Sequence, residues 1–146
     1  MRKFLATATL SLMVPAYAAA EPLSVCVFDV IGANGDVFNV MKDYALEVKS
    51  LGVDLELKPY TDEGVAVGDF NAGQCDAVAA TDLRTRPFNK FTGTISAVGA
   101  LPSYDNLETL LATLAQPKAA SFMKQEGYEV LGIFPVGAGY LFVNDR

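Results

Sequence analysis

Residues 23–28 (LSVCVF) form a run of apolar and β-branched positions, as a strand buried on both faces requires. It predicts the first strand of a parallel sheet. Residues 29–35 (DVIGANG) then supply a loop, and Val37, Val40, Met41, Tyr44 and Val48 recur at helical spacing up to Leu51 and Gly52. Residues 53–57 (VDLEL) alternate apolar and acidic side chains, which predicts a strand near the sheet edge that Pro59 closes. Thr61 or Asp62 can cap a second helix running to about Asn71, where Gly64 and Gly68 imply close packing against the sheet and Gly73 marks the stop.

Residues 77–80 (AVAA) read as a short buried strand of small residues, followed by a polar loop over residues 81–90. Pro102 and Ser103 open a third helix whose Leu107, Leu110, Leu111 and Leu114 share one face up to Gln116. Pro117 begins a fourth that stops at Gly127. Residues 129–134 and 140–143 complete the pattern as strands joined by a glycine turn at residues 137–139. Strands alternating with helices through short connections predict an α/β fold, a mainly parallel sheet flanked by helices with right-handed crossovers. Ligands in such sheets bind beyond the carboxyl ends of the strands, so residues 29–36, 60–63 and 81–86 are the candidate site loops.

The first twenty residues add an address. Arg2 and Lys3, a short apolar core over residues 4–14 and small residues ending at Ala18 and Ala20 compose a secretory signal peptide cut before Glu21. The apolar run is well short of the roughly 20 residues of a membrane-spanning helix. Residues 21–146 are then one α/β lobe working in the periplasm, with no later stretch apolar enough to embed it in a membrane. That lobe carries 9 basic against 17 acidic residues, a formal charge of −8, which repels nucleic acid and anionic membrane surfaces.

Cys26 and Cys75 are the only cysteines, and export makes one disulfide the simplest reading, with two buried thiols as the alternative. A 2-1-3 strand order would bring the two within reach. The chain has no histidine, which removes the usual zinc ligand sets and the Ser-His and Cys-His nucleophile systems. The expectation is a protein without metal or cofactor that is not an enzyme.

Within the candidate loops, the IGANGD segment could hold an anion on free N–H groups, with Asn34 either capping the helix or meeting a ligand. Its spacing matches neither a dinucleotide fingerprint nor a Walker loop, and a plain turn is the alternative. Asp29, Asp62, Glu63 and Asp82 gather near one sheet edge, each with an ordinary use as a cap or turn residue. Tyr60 and Thr81 stand at the strand ends beside them. Arg84 is the foremost site residue, since its fork suits a ligand carboxylate or phosphate, and its competing use is a surface ion pair. Phe28, Tyr60, Phe88 and Phe91 can wall an apolar pocket or pack as core.

The run FNAGQCDAV, residues 70–78, resembles the small-x-Gly-x-x-Asp step before a strand in periplasmic solute-binding proteins. GTISAVGALPSYDNLETLLATL and FMKQEGYEVLGIFPVGAGYLFVND extend the likeness to the first lobe of DctP-type binding proteins of TRAP transporters, and more narrowly to AdeT-like solute-binding proteins. The resemblance implies a small polar solute taken up at the strand-end loops, with Asp29, Asn34, Tyr60, Thr81, Asp82 and Arg84 as ligand contacts and membrane transporter subunits as partners. It also implies a second lobe, which this chain lacks, so a truncated frame or fragment is expected. Leu141 stands where the family often has an arginine, which weakens the case for a carboxylate ligand. Two other functions compete: an efflux-pump-associated periplasmic accessory, and a flavodoxin-like cofactor-binding enzyme module using the IGANGD loop.

Overall fold

The computed structural model describes residues 21–137. Three strands, β1 (Leu23–Phe28), β2 (Leu55–Tyr60) and β3 (Ala77–Ala79), form a parallel sheet in the order β2-β1-β3. Helix α1 (Asp36–Lys49) connects β1 to β2, and α2 (Glu63–Asn71) connects β2 to β3. The expected signal peptide and the expected strand over residues 140–143 lie outside the described residues.

Because successive side chains of a strand point to opposite faces, β1 divides its apolar residues between two cores. Val25 and Val27 meet Phe38 and Met41 of α1 on one face. Cys26 meets Ala66 of α2 and Cys75 on the other, with Phe28, Tyr60 and Val78 packed around them. Central placement is what makes LSVCVF read as a doubly buried strand. Cys26 and Cys75 are joined in a disulfide with Cα atoms 5.8 Å apart, because the register sets Cys26 opposite Val78 and Cys75 arrives just before β3.

The Gly-x-x-Asp step has a structural use at the amino end of this sheet. Gly73, at φ +73°, follows the last turn of α2. Asp76 then accepts hydrogen bonds from the Ser24 N–H at 2.7 Å and the Ser24 hydroxyl at 2.9 Å, while its own N–H donates to the Ser24 carbonyl at 2.8 Å. These bonds lock the start of β3 to the start of β1.

Several expectations are corrected. Pro59 does not close β2 but lies inside it, opposite Val27. The carbonyls of Asp54 and Tyr60 accept at 2.9 Å from the N–H groups of Leu23, in β1, and Asp29, just after it, so the even positions face β1 and the N–H that Pro59 lacks falls on the open edge. Gly64 and Gly68 do not pack closely on the sheet: a Cβ at Gly68 would meet nothing within 4 Å, and one at Gly64 only Asp62 and Arg84. The polar loop after β3 contains a helical turn, α3 (Asp82–Thr85), and a second, α4 (Thr92–Ile95), follows.

Buried Asn89 organises that region. Its side-chain carbonyl accepts from the N–H groups of Phe91 (2.9 Å) and Thr92 (3.3 Å), and its amide donates to the Phe122 carbonyl at 2.8 Å. Helix α5 (Tyr104–Leu114) starts where expected, with the Ser103 hydroxyl accepting the Asn106 N–H at 3.3 Å. Its leucine face is only half-buried. The helix expected from Pro117 to Gly127 is cut short. A 3-10 turn (Pro117–Ala119) and α6 (Ala120–Met123) give way to a hairpin of β4 (Lys124–Gln125) and β5 (Tyr128–Glu129). Glu126 and Gly127, at φ +49° and +88°, make the tight left-handed turn that such a hairpin needs and a helix cannot contain. Residues 130–137 have no regular structure, so the strand expected over residues 129–134 is absent beyond Glu129.

Of the two uses open to the aromatics, packing holds for Phe88 and Phe91. Phe88 stacks edge-on to Phe70 and lies against Tyr128, and Phe91 stacks on Phe122, so both are used in packing rather than at a cleft. These contacts join α2 to the hairpin.

Cutting the disulfide tests the two-core architecture. Replacing Cys26 and Cys75 by alanine is expected to lower unfolding stability by about 2–4 kcal/mol in urea titration, the range for a crosslink closing a loop of this size.

Candidate functional site

The carboxyl ends of β1, β2 and β3 bring the three candidate loops onto one edge. The first is built around Asp29. Its carboxylate, buried at the end of β1, accepts the N–H of Ile31 at 2.8 Å and of Phe38 at 3.1 Å, while its carbonyl accepts the Gly32 N–H at 2.8 Å. Those backbone bonds, that from Ile31 foremost, hold its pKa below the usual carboxylate range against the opposing effect of burial.

Gly35 exists for this carboxylate, since any Cβ there would fall on it. Gly32, at φ +71°, turns the chain. The Gly35 N–H in turn donates to the Gly32 carbonyl at 3.0 Å. The N–H groups of Ile31, Gly32, Gly35 and Phe38 are thus bonded to the loop's own atoms rather than directed outward as a phosphate cradle. Asn34 lies exposed at the end of a 3-10 turn (Gly32–Asn34) and caps no helix.

At the end of β2, the Tyr60 hydroxyl donates to Asp69 at 2.8 Å, and this bond to a carboxylate raises the phenol's pKa. Tyr60 therefore fastens β2 to α2. Asp62 caps α2 by accepting the Val65 N–H at 3.0 Å. A Cβ on Gly32 would sit 3.2 Å from the Thr61 methyl, so the first and second loops touch.

The third loop is tied to the second by Glu63. One of its carboxylate oxygens accepts the Thr81 N–H at 2.6 Å, and the other lies 3.6 Å from Nε of Arg84. The Glu63 side chain is only 15% exposed while Arg84 is 60% exposed, so a sheltered acid grips the inner side of an outward guanidinium. Among the described residues the terminal nitrogens of Arg84 make no hydrogen bond. The Thr81 hydroxyl is buried beside this pair and also lacks a partner among the described residues. Asp82 accepts from Ser96 of the segment after α4, and Arg86 folds back over Gly93.

Of the six ligand contacts expected from the sequence, Thr81 and Arg84 are brought together through Glu63, while Asp29, Tyr60 and Asp82 are engaged by the protein's own groups. Asn34 stands apart. Glu63 was visible as one of four gathered acids, but nothing in the chain distinguishes it as the link between two loops. Asn89 and Ser96 gave no signal at all.

Comparison with known proteins decides the family. Residues 48–146 match the family described as solute-binding protein AdeT 1/2. The "Probable solute-binding protein AdeT1" of Acinetobacter baumannii is 48% identical over 120 residues, covering 82% of this chain and 40% of that protein. The chain belongs to the AdeT solute-binding family. It spans well under half the length of this AdeT relative. No solved structure matches it. Among the described residues no helix is long and apolar enough to cross a membrane.

Two carboxylates have pKa values lowered by the hydrogen bonds they accept: Asp29 at the carboxyl edge, from Ile31 foremost, and Asp76 at the amino end of the sheet, from Ser24. A depressed folded pKa contributes stability above the unfolded value of about 3.9 and loses it as pH falls through the lower folded value. The urea midpoint is expected to hold steady above about pH 5 and decline below pH 4, with Asp29→Asn and Asp76→Asn each flattening that decline. Gly35→Ala, which displaces the Asp29 carboxylate, is expected to lower the melting temperature by roughly 5–15 °C in calorimetry.

Proposed function

We propose that this chain is an exported, non-enzymatic binding protein that captures a small polar solute at the carboxyl edge of its sheet and presents it to a membrane transporter. Membership of the AdeT family supports solute binding. The observation that carries the location is Arg84, paired through Nε with the sheltered Glu63 while its terminal nitrogens make no hydrogen bond among the described residues, at the edge where parallel sheets bind ligands. Such an arginine is oriented before the ligand arrives, which reduces the ordering cost of binding.

Val30, Ile31, Val65 and Leu83 are exposed around this edge. An apolar rim about a charged centre suits a surface that closes on a second wall, as a TRAP-type or related two-lobed receptor would supply. Thr81 completes the polar centre, and Asn34 and Asp82 border it. The amino-terminal residues 1–20 act as a signal peptide that delivers residues 21–146 to the periplasm.

Two measurements check this reading. Expressed with its leader in a Gram-negative host, the protein is expected in the periplasmic fraction with a mass that begins at Glu21; an uncleaved cytoplasmic product would contradict export. Calorimetric titration of the exported residues 21–146 with small polar solutes is expected to give dissociation constants of about 1 mM or weaker, because the described residues present the site on an open sheet edge. Arg84→Ala should abolish that heat. Micromolar binding that survives Arg84→Ala would overturn the site.

A further inference from the structure

Asn34 is the only asparagine of the chain that is followed by glycine. It closes the 3-10 turn Gly32–Asn34 and lies exposed, and its side-chain amide makes no hydrogen bond among the described residues. The glycine after it is imposed by the fold. A Cβ at position 35 would fall on the Asp29 carboxylate, which is fixed in place by the N–H groups of Ile31 and Phe38. The carboxylate that shapes this loop thus sets a free side-chain amide beside a backbone nitrogen that no side chain shields.

That pair is chemically reactive. When the Gly35 nitrogen attacks Cγ of Asn34, an N–C bond forms, the bond from Cγ to the side-chain nitrogen breaks, and ammonia leaves with the proton of the Gly35 N–H. The five-membered succinimide then takes up one water at either carbonyl. It opens to aspartate, or to isoaspartate, in which the main chain runs through Cβ.

The fold sets the gate on this reaction. Ring closure turns the Gly35 nitrogen toward the Asn34 side chain, which the helical backbone of the 3-10 turn does not permit. The Gly35 N–H is also held by the Gly32 carbonyl at 3.0 Å. Releasing that single bond frees the nitrogen and the peptide plane together. The anchors on either side stay in place, with the Gly32 N–H on the Asp29 carbonyl at 2.8 Å and the Asn39 N–H on the Gly35 carbonyl at 3.0 Å. A local opening of this kind costs far less than global unfolding.

We propose that Asn34 is a spontaneous deamidation site of the folded protein, reached by opening the last bond of the 3-10 turn, and that its isoaspartyl product loosens the turn after β1. The product inserts one backbone carbon directly ahead of Gly35, whose close approach to Asp29 leaves no slack to take it up.

The test is incubation of the exported protein in mildly alkaline buffer with peptide mapping by mass spectrometry, alongside a linear peptide of residues 29–39. Asn34 is expected to convert before Asn39, Asn71, Asn89 and Asn106, and about tenfold or more slowly than in the peptide. Its rate is expected to stay constant in urea up to the foot of the unfolding transition, since opening one turn exposes little surface. The isoaspartyl fraction, identified by an isoaspartyl methyltransferase, is expected to melt below the parent. Asn34→Asp, which adds the charge without the extra backbone carbon, is expected to melt with the parent, and Asn34→Gln to stay unmodified. Asn34 left intact after the peptide is consumed, or converted no sooner than the other asparagines, overturns the site. A rate equal to the peptide's, or one that climbs with urea from the lowest concentrations, overturns the gate. An isoaspartyl fraction that melts with the parent overturns the loosening of the turn.

Discussion

The architecture depends on burying one strand on both of its faces. β1 carries Val25 and Val27 into the core under α1 and Cys26 into the core under α2, so it must be the central strand, with β2 and β3 on either side. From that placement the rest follows. The two crossover helices cover opposite faces, and the three strand ends lie side by side at one edge. The disulfide from Cys26 to Cys75 reinforces the same strand, and Asp76 ties its amino end to β3. A change that expels β1 from either core removes the platform on which every candidate ligand contact stands.

Acidic residues divide the labour of building that edge. Asp29 gives its carboxylate to the backbone of its own loop, which fixes the turn after β1 and occupies the N–H groups of Ile31 and Phe38. Asp62 caps a helix with one oxygen. Glu63 joins the end of β3 to Arg84 and so converts an exposed arginine into an oriented one. Carboxylates that fix a turn, cap a helix and join two loops thus sit within one edge, distinguished by what they are bonded to. The half-buried leucines of α5 and the exposed apolar rim of the strand ends show that this part of an AdeT-family protein leaves apolar surface beyond its own core.

Much of the first half was legible residue by residue. LSVCVF announced a doubly buried strand because a central parallel strand needs apolar side chains in both directions, and α1 and α2 were marked by periodicity and by caps. The second half was less legible for a physical reason. Apart from α5, its elements are a single turn or a two-residue strand, too short for periodicity to register, and Asn89 ties the region together through a partner 33 residues away. The hairpin at Glu126 and Gly127 interrupted an apparently helical stretch because backbone conformation at two positions outweighed the propensity of the residues around them.

By itself the sequence determined the α/β class and the parallel sense of the first strands, and it offered a disulfide as the simplest use of its two cysteines and three strand-end loops as candidates for a site. Those properties reside in alternation, spacing and composition, which are local. Only the tertiary structure decided which charged residues remain free at that edge. Arg84 led the candidates along the chain, and folding paired it with Glu63 through Nε while giving Asp29, Tyr60 and Asp82 hydrogen-bond partners from the protein itself. Whether a carboxylate or hydroxyl is bound or free depends on neighbours brought together from distant positions, and no single stretch of residues contains that information.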